Sequence, residues 1–350
     1  MEGKIDLNLD KKIPFKNYEI IIKRNIHKII PEWSDKELLF KEFTEGISNK
    51  LVGCRPQNSS DEDLVIFRLY GNQTELFIDR KQELLNVQFL YSKNMAPKLY
   101  ATFENGYCHG FITGRTLGTK EMSDSHFSAL IAKKLAHLHS IELPSNFRSN
   151  GPCVFNTIEK FLNALPERFP ESVKQGRYET EILSQLNVAN ELEFLKERLK
   201  DCDTPLGYCH NDLLENNIIY TKEKDDVSFI DHEYGTYNYC VFDIGNHFNE
   251  FGGVVVDPDY SLYPDKEFQM KWLRMYVSEK AKIQGCDDLR SEEDIELLQA
   301  QVNKFSVVSH LLWGVWGLLQ ANFSTIDFDF LEYSNNRLKE YRRRKKVLEW

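Results

Sequence analysis

"YCHNDLLENNIIY", residues 208–220, sets three hydrogen-bonding side chains, His210, Asn211 and Asp212, against an apolar run that ends in Ile218 and Ile219. The apolar half has the β-branched content of a buried strand. His-Asn-Asp alone carries little weight, because Asn and Asp often cap turns by bonding their own backbone. The stretch downstream changes its weight. "DDVSFIDHEYGTYNYCVFDIGNHFNEF" (225–251) repeats the arrangement, with a short apolar strand, Val227 to Ile230, that ends in an acid, Asp231. Joined through the turn-prone "TKEKDD" (221–226), the two strands form a hairpin with Asp212 at its start, Asn217 near it and Asp231 at its exit. All three are expected to face one point, with a third acid, Asp243, twelve residues beyond Asp231.

An Asp to accept a proton, an Asn carbonyl and a second Asp to hold a hard cation match what phosphoryl transfer needs, since Mg2+ takes a few oxygen ligands and keeps water and phosphate as the rest. The pattern is not that of a protein kinase. The chain has no GxGxxG, VAIK or APE, and "DHEY" (231–234) stands where a DFG triplet would allow an activation segment to swing. A small-molecule kinase is the better reading.

The bulk numbers agree with a folded enzyme. With 350 residues, 41% of them hydrophobic, the chain can bury a large core in one large domain or two lobes. A net charge of −10 argues against a nucleic-acid partner or an anionic membrane surface. The one basic run, Tyr341-Arg-Arg-Arg-Lys-Lys346, reads as a solvated helix end. Seven cysteines without a CxxC pair indicate neither a disulfide framework nor a zinc ribbon and fit a reducing compartment. The N-terminus shows no apolar signal region, and no run of about 18 apolar residues occurs, so a cytoplasmic protein without membrane insertion is expected. Monomer and homodimer both stay open.

Two regions differ in character. "DLVIFRLYG" (63–71) reads as a buried strand with Arg68 as its odd residue, and "RKQELLNVQFLYSKN" (80–94) reads as a helix. "APKLYATFENGYCHGFITG" (96–114) then reads as two strands joined at Glu104-Asn105-Gly106. From Ser123 or Asp124, either able to cap a helix, most of the chain looks helical apart from 206–235. The expected fold class is α+β, a strand-rich lobe over 1–112 and a larger, mainly helical lobe over 113–350.

"CHNDLLENNIIY", "FIDHEYGTYNYCVFDIGNHFNEF", "DYSLYPDKE" and "HLLWGVWGLLQANFSTIDFDFLEY" resemble the choline/ethanolamine kinase family, its ethanolamine kinase branch above all. "TEGISNKLVGC", "FRLYGNQTELFIDR" and "MAPKLYATFENGYC" look like that family's N-terminal lobe, so the likeness runs from about Phe43 to about Tyr341. It implies a two-lobed, protein-kinase-like fold that uses ATP and Mg2+ on a small amino alcohol and makes phosphoethanolamine for phospholipid synthesis. It also implies roles. Asp212 would be the catalytic base, with Asn217 and Asp231 on magnesium and Asp243 supporting the catalytic loop. Arg68 takes the position of a phosphate-contacting Lys, with Glu83 placed to pair with it. Residues 45–50, with Gly46, Ser48, Asn49 and Lys50, would cover the phosphates, and Gly110, Phe111 and Ile112 lie in the stretch that would contact adenine. His210 and Asn211 are expected to orient the loop by hydrogen bonding.

The implied amine pocket lies on the last helices. At about 100° per residue Val308, Leu311, Leu312, Val315, Leu318 and Leu319 form one apolar stripe, and Trp313 and Trp316 lie to one side of it. By the family's pattern Trp313, Trp316, Tyr333 and Glu250 line this pocket. Carboxylates and carbonyls favour ethanolamine, while a fuller aromatic box favours choline, and both elements are present. A choline or dual kinase, an aminoglycoside-type phosphotransferase and an inactive kinase-fold scaffold are the competing readings. Three departures stand out, Glu45 for the phosphate loop's second Gly, His232 for an aromatic after the metal Asp, and Gly110 for a longer hinge side chain.

Overall fold

The structure, a computed structural model, describes all residues except 1–3, 6, 8, 10–14, 44–48, 72–73, 75–76, 288–289 and 325. The expected phosphate-loop residues Gly46 and Ser48 thus lie outside the described residues. The chain divides into two compact units, Met1–Arg115 with Thr221–Glu223, and Thr116–Tyr220 with Lys224–Trp350.

The smaller unit contains α1 (Phe15–Ile29), β1 (Leu38–Phe43), β2 (Lys50–Pro56), β3 (Val65–Leu69), α2 (Arg80–Ser92), β4 (Leu99–Phe103) and β5 (Gly106–Gly110). Its strands form an antiparallel sheet in the order β1-β2-β3-β5-β4. All five residues of β3 are buried, as suits a strand near the middle of the sheet, whereas β4 alternates buried and half-buried side chains with the strand period of two. Tyr18, Ile22, Ile26 and Ile29 recur along α1 at helical spacing and pack with Val52, Val65, Phe67 and Ala101 into one core. On α2, Asp79 caps the first turn by accepting from the backbone amides of Lys81 and Gln82. Gly106 is dictated by crowding, since a Cβ there would lie 2.1 Å from the Arg68 carbonyl oxygen.

The larger unit carries the rest: β6 (Arg115–Thr116, shared with the smaller unit), α3 (Ser125–His139), α4 (Ser145–Arg148), α5 (Val154–Ala164), α6 (Ser172–Arg177), α7 (Val188–Leu199) and β7 (Leu206–Cys209). There follow β8 (Ile218–Thr221), β9 (Asp226–Phe229), β10 (Thr236–Tyr239), α8 (Cys240–Asn249), α9 (Lys266–Gln284), α10 (Glu292–Phe323) and α11 (Phe330–Lys345). Asp124 caps α3 through the amides of His126 and Phe127. The α10 helix differs from its expectation. Every residue from Phe305 to Val315 is buried, so there is no single apolar stripe with the tryptophans beside it: α10 is the central post of the unit, with α5, α8, α9 and α11 packed around it. Close approach depends on small residues, because a Cβ on Gly314 would fall 2.6 Å from the Leu338 side chain of α11.

The basic C-terminal run also departs from the solvated reading. Arg344 is buried, with its guanidinium 3.4 Å from the Tyr263 ring centroid and its Nε donating to Glu340 Oε1 at 2.7 Å, while Lys345 pairs with Glu191. Arginine's flat, weakly hydrated head makes such stacking cheap. No described helix is long and apolar enough to cross a membrane.

Candidate active site

The opening stretch folds as a loop between two strands. It leaves β7 at Cys209, passes His210, Asn211 and Asp212, makes a 3-10 turn at Glu215–Asn217 and enters β8. Asn211 has φ of 67° and Asp231 φ of 64°, left-handed conformations that cost other side chains more than Asn and Asp. Two such residues within one site mark a backbone held by its surroundings.

Asp243, near the start of α8, supplies much of that hold. Its Oδ2 accepts from the backbone amide of His210 at 2.7 Å and its Oδ1 from that of Asn211 at 2.8 Å, and His139 Nε2 reaches Oδ2 at 3.0 Å. Burial alone would raise the Asp243 carboxyl, but His139 and the backbone amides hold it below its ordinary value. In turn, burial would pull His139 down, whereas Cys240 and Asp243 push it up to about 9. His210 accepts from the Asp212 amide at Nδ1 (3.3 Å), so Nε2–H donates to the Ile230 carbonyl at 2.8 Å. Asn211 donates to the Tyr234 carbonyl at 2.9 Å and accepts from Asn238 Nδ2 at 2.8 Å. His210 and Asn211 thus tie the loop to β9 and β10.

Asp212, Asn217 and Asp231 come together. Asn217 Nδ2 donates to the Asp212 carbonyl at 2.8 Å, which leaves its carbonyl oxygen as the end for a cation, and the Ile230 amide donates to the Asn217 carbonyl at 3.0 Å. The Asp212 carboxyl is pushed well above the usual range by burial and then by the charges of Glu250, Asp231 and Glu233, with Arg337 pulling the other way. This surplus of negative charge and an all-oxygen donor set suit a hard divalent cation better than a transition metal.

The predicted pocket residues also meet. The Trp313 and Trp316 rings lie 5.6 Å apart edge-on, Trp316 lies 6.1 Å from Tyr333, and Tyr234 packs on Trp313 at 5.3 Å. Both indole N–H groups are spoken for, Trp313 on Asn246 Oδ1 at 2.7 Å and Trp316 on the Tyr234 hydroxyl at 3.0 Å, so the rings keep their faces and edges for contact. Glu250 is buried, and sequence reasoning missed its partner: Arg337 Nη2 donates to Glu250 Oε1 at 2.7 Å and Arg337 Nε to the Tyr333 hydroxyl at 3.1 Å. Tyr234, Asn246 and Arg337 were the unread members. The spacing Tyr333 to Arg337, one turn apart on a helix, was a signal available for the last of them.

The smaller unit holds the other predicted pair. Arg68 is buried on β3 with its Nε 3.3 Å from Glu83 Oε1 on α2. Two further partners were not anticipated: Arg80 Nη1 bonds Glu83 Oε2 at 2.7 Å and the Tyr107 hydroxyl donates to Oε1 at 3.0 Å. Arg80 Nη2 reaches Asn49 Oδ1 at 3.5 Å, and Lys50 pairs with Glu42 at 3.0 Å. Gly110 ends β5, where a Cβ would lie 3.3 Å from Pro97; the Phe111 amide donates to the Leu64 carbonyl at 2.9 Å, and Ile112 is half-buried.

Comparison with known proteins matches residues 40–342 to the choline/ethanolamine kinase family. The chain is 46% identical over 325 residues to a probable ethanolamine kinase of Nematostella vectensis, covering 93% of this chain and 92% of that one. It is 42% identical over 313 residues to human ethanolamine kinase 1, covering 89% of this chain and 68% of that one. Among solved structures, an ethanolamine kinase of Plasmodium vivax superposes with a TM-score of 0.79 at 29% identity, over 95% of this chain and 91% of that one.

Proposed function

Because the chain belongs to the choline/ethanolamine kinase family, we propose that it is an ethanolamine kinase, which transfers the γ-phosphate of ATP to the hydroxyl of ethanolamine and yields phosphoethanolamine and ADP. The observation that carries the choice of amine is the charge around Asp212, three neighbouring acids against one arginine, beside the aromatic group of Trp313, Trp316 and Tyr333. A primary ammonium brings three N–H donors to such acceptors, whereas a trimethylated one brings none and leaves them unpaired. Aromatic faces attract either cation by about 0.5 to 2 kcal/mol. The Arg337 pairing leaves Glu250 as a half-neutralised acid, so the amine shares its charge with a resident cation.

In the proposed reaction Asp212 accepts the hydroxyl proton as the substrate oxygen bonds to the γ-phosphorus and the bond to the ADP oxygen breaks. Asn217 and Asp231 would hold Mg2+, which when bound offsets the charge that develops on the phosphates. His210, Asn211 and Asp243 keep the loop in its left-handed turn, so the base is oriented before substrate arrives. Arg68, steadied by Glu83, is proposed to contact the nucleotide phosphates together with Gly46, Ser48, Asn49 and Lys50, and Gly110, Phe111 and Ile112 to contact adenine.

The test is product formation by the purified protein with Mg-ATP, followed by phosphorus NMR. Ethanolamine should give a phosphomonoester signal at the position of authentic phosphoethanolamine. ADP release without such a signal would sink the proposal.

A further inference from the structure

Below the catalytic loop lies a second group of ligand-type side chains that the kinase reaction does not use. His139 ends α3, Cys209 ends β7 and Cys240 begins α8, and all three are buried. One ligand atom from each lies within 4.8 Å of the other two. Some point is then within about 2.8 Å of all three (4.8 Å divided by the square root of three), against bond lengths of about 2.3 Å to sulfur and about 2.0 Å to nitrogen for zinc. Inward shifts of at most about 0.5 Å for each sulfur and about 0.8 Å for the nitrogen, within side-chain torsional play, would close the difference.

We propose that His139, Cys209 and Cys240 form a structural site for a thiophilic divalent ion, Zn2+ in the first instance. Two thiolates balance the charge of a dication in a buried place, which a neutral ligand set could not do. Soft sulfur with imidazole selects zinc over the hard magnesium of the reaction. Asp243 already takes the His139 Nε2 at 3.0 Å, and Nδ1 lies 2.7 Å from the Tyr276 hydroxyl, a hydrogen bond that the ion would replace. That is the carboxylate–histidine–metal order in which an outer carboxylate orients the ring. A cavity of about 420 Å3, walled in part by Cys240 and Tyr276 and carrying Lys280 and Arg290 as well as Asp287 and Asp294, opens beside the trio and gives an ion a way in.

The location gives the ion a purpose. Cys209 directly precedes His210, and Cys240 opens the helix whose Asp243 holds the His210 and Asn211 amides. An ion joining α3, β7 and α8 therefore pins the base of the catalytic loop without touching substrate.

Metal-free protein titrated with Co2+ in the absence of nucleotide tests this directly. The expected result is one equivalent bound with a thiolate-to-cobalt charge-transfer band, and displacement of that band by Zn2+. The oxygen-only magnesium site cannot produce such a band. In a parallel thermal melt Zn2+ should raise Tm, whereas Cys240→Ser should weaken binding by more than about a hundredfold and remove the rise. Cys286→Ser, which alters the same cavity outside the trio, should behave as wild type. Absence of a charge-transfer band in the wild-type protein overturns the proposal, and needs no variant to fold. An undiminished band in Cys240→Ser overturns it equally.

Discussion

Asp212 carries a conflict between stability and chemistry. Its carboxyl sits well above the ordinary value of 3.8, raised by burial and then by Glu250, Asp231 and Glu233. Ionising it in the folded state is therefore penalised, and the penalty grows as pH rises above 3.8 and is complete once pH passes the raised folded value. Asp212→Asn should melt higher than wild type at neutral pH without ligands, with the gain vanishing as pH falls towards 3.8, while kcat drops by about two to four decades. Thermal melts at several pH values and steady-state kinetics check both halves. A variant that melts lower at neutral pH, or turns over normally, contradicts this account of Asp212. The pH–rate profile gives a second reading. The acid limb of kcat/KM should lie above the usual carboxylate range, and Glu233→Gln, which removes one repelling charge, should move it to lower pH. At this scale much was legible in the sequence, since Asp212, Asn217 and Asp231 lie close in the chain and share one hairpin. Arg337 was not, because its partner Glu250 is 87 residues away and pairing at that distance leaves no local period.

Between elements, buried charge and close packing decide what a substitution costs. Glu83 joins α2 to β3 by balancing Arg68 and Arg80 and accepting from Tyr107. Glu83→Leu removes the buried carboxylate that both cationic heads share and should cost about 3 to 5 kcal/mol in urea unfolding. Arg68→Met with Arg80→Met in the same background should recover part of the loss, and no recovery would deny the charge explanation. Gly314→Val drives two methyls into Leu338 where a Cβ alone would already lie at 2.6 Å, so the α10–α11 contact should lose at least about 1 to 3 kcal/mol. Strands, the α3 cap and the α2 helix were legible because period and turn chemistry are local signals, as at Asp124 and Gly106. The burial of α10 was not. A helix packed between α5, α8, α9 and α11 reads in one dimension much like a helix with a wide apolar face, and the stripe beside the indoles of Trp313 and Trp316 is dissolved by that packing. The basic run at the C-terminus misled for a related reason, because Arg344 can lie on Tyr263 only once the chain is folded.

For the whole molecule, the family followed from long motifs spread along the chain, while the choice of amine rests on how acids and rings are gathered at one place in the larger unit. Those groups come from the catalytic loop, the turns that follow β9 and α8, and the helices α10 and α11, and no one of them indicates a substrate. An acid-rich site with an aromatic wall should accept both amines and prefer the one with N–H donors. Omitting Mg2+ from the assay should abolish turnover on either amine without lowering the melting temperature much, since Asn217 is already held by bonds to Asp212, Leu214 and Ile230. The decisive measurement is kcat/KM for ethanolamine, choline and an aminoglycoside in one ADP-release assay on the purified protein. The account predicts the highest value for ethanolamine, a lower but measurable one for choline and none for the aminoglycoside; a choline value above that of ethanolamine would contradict it.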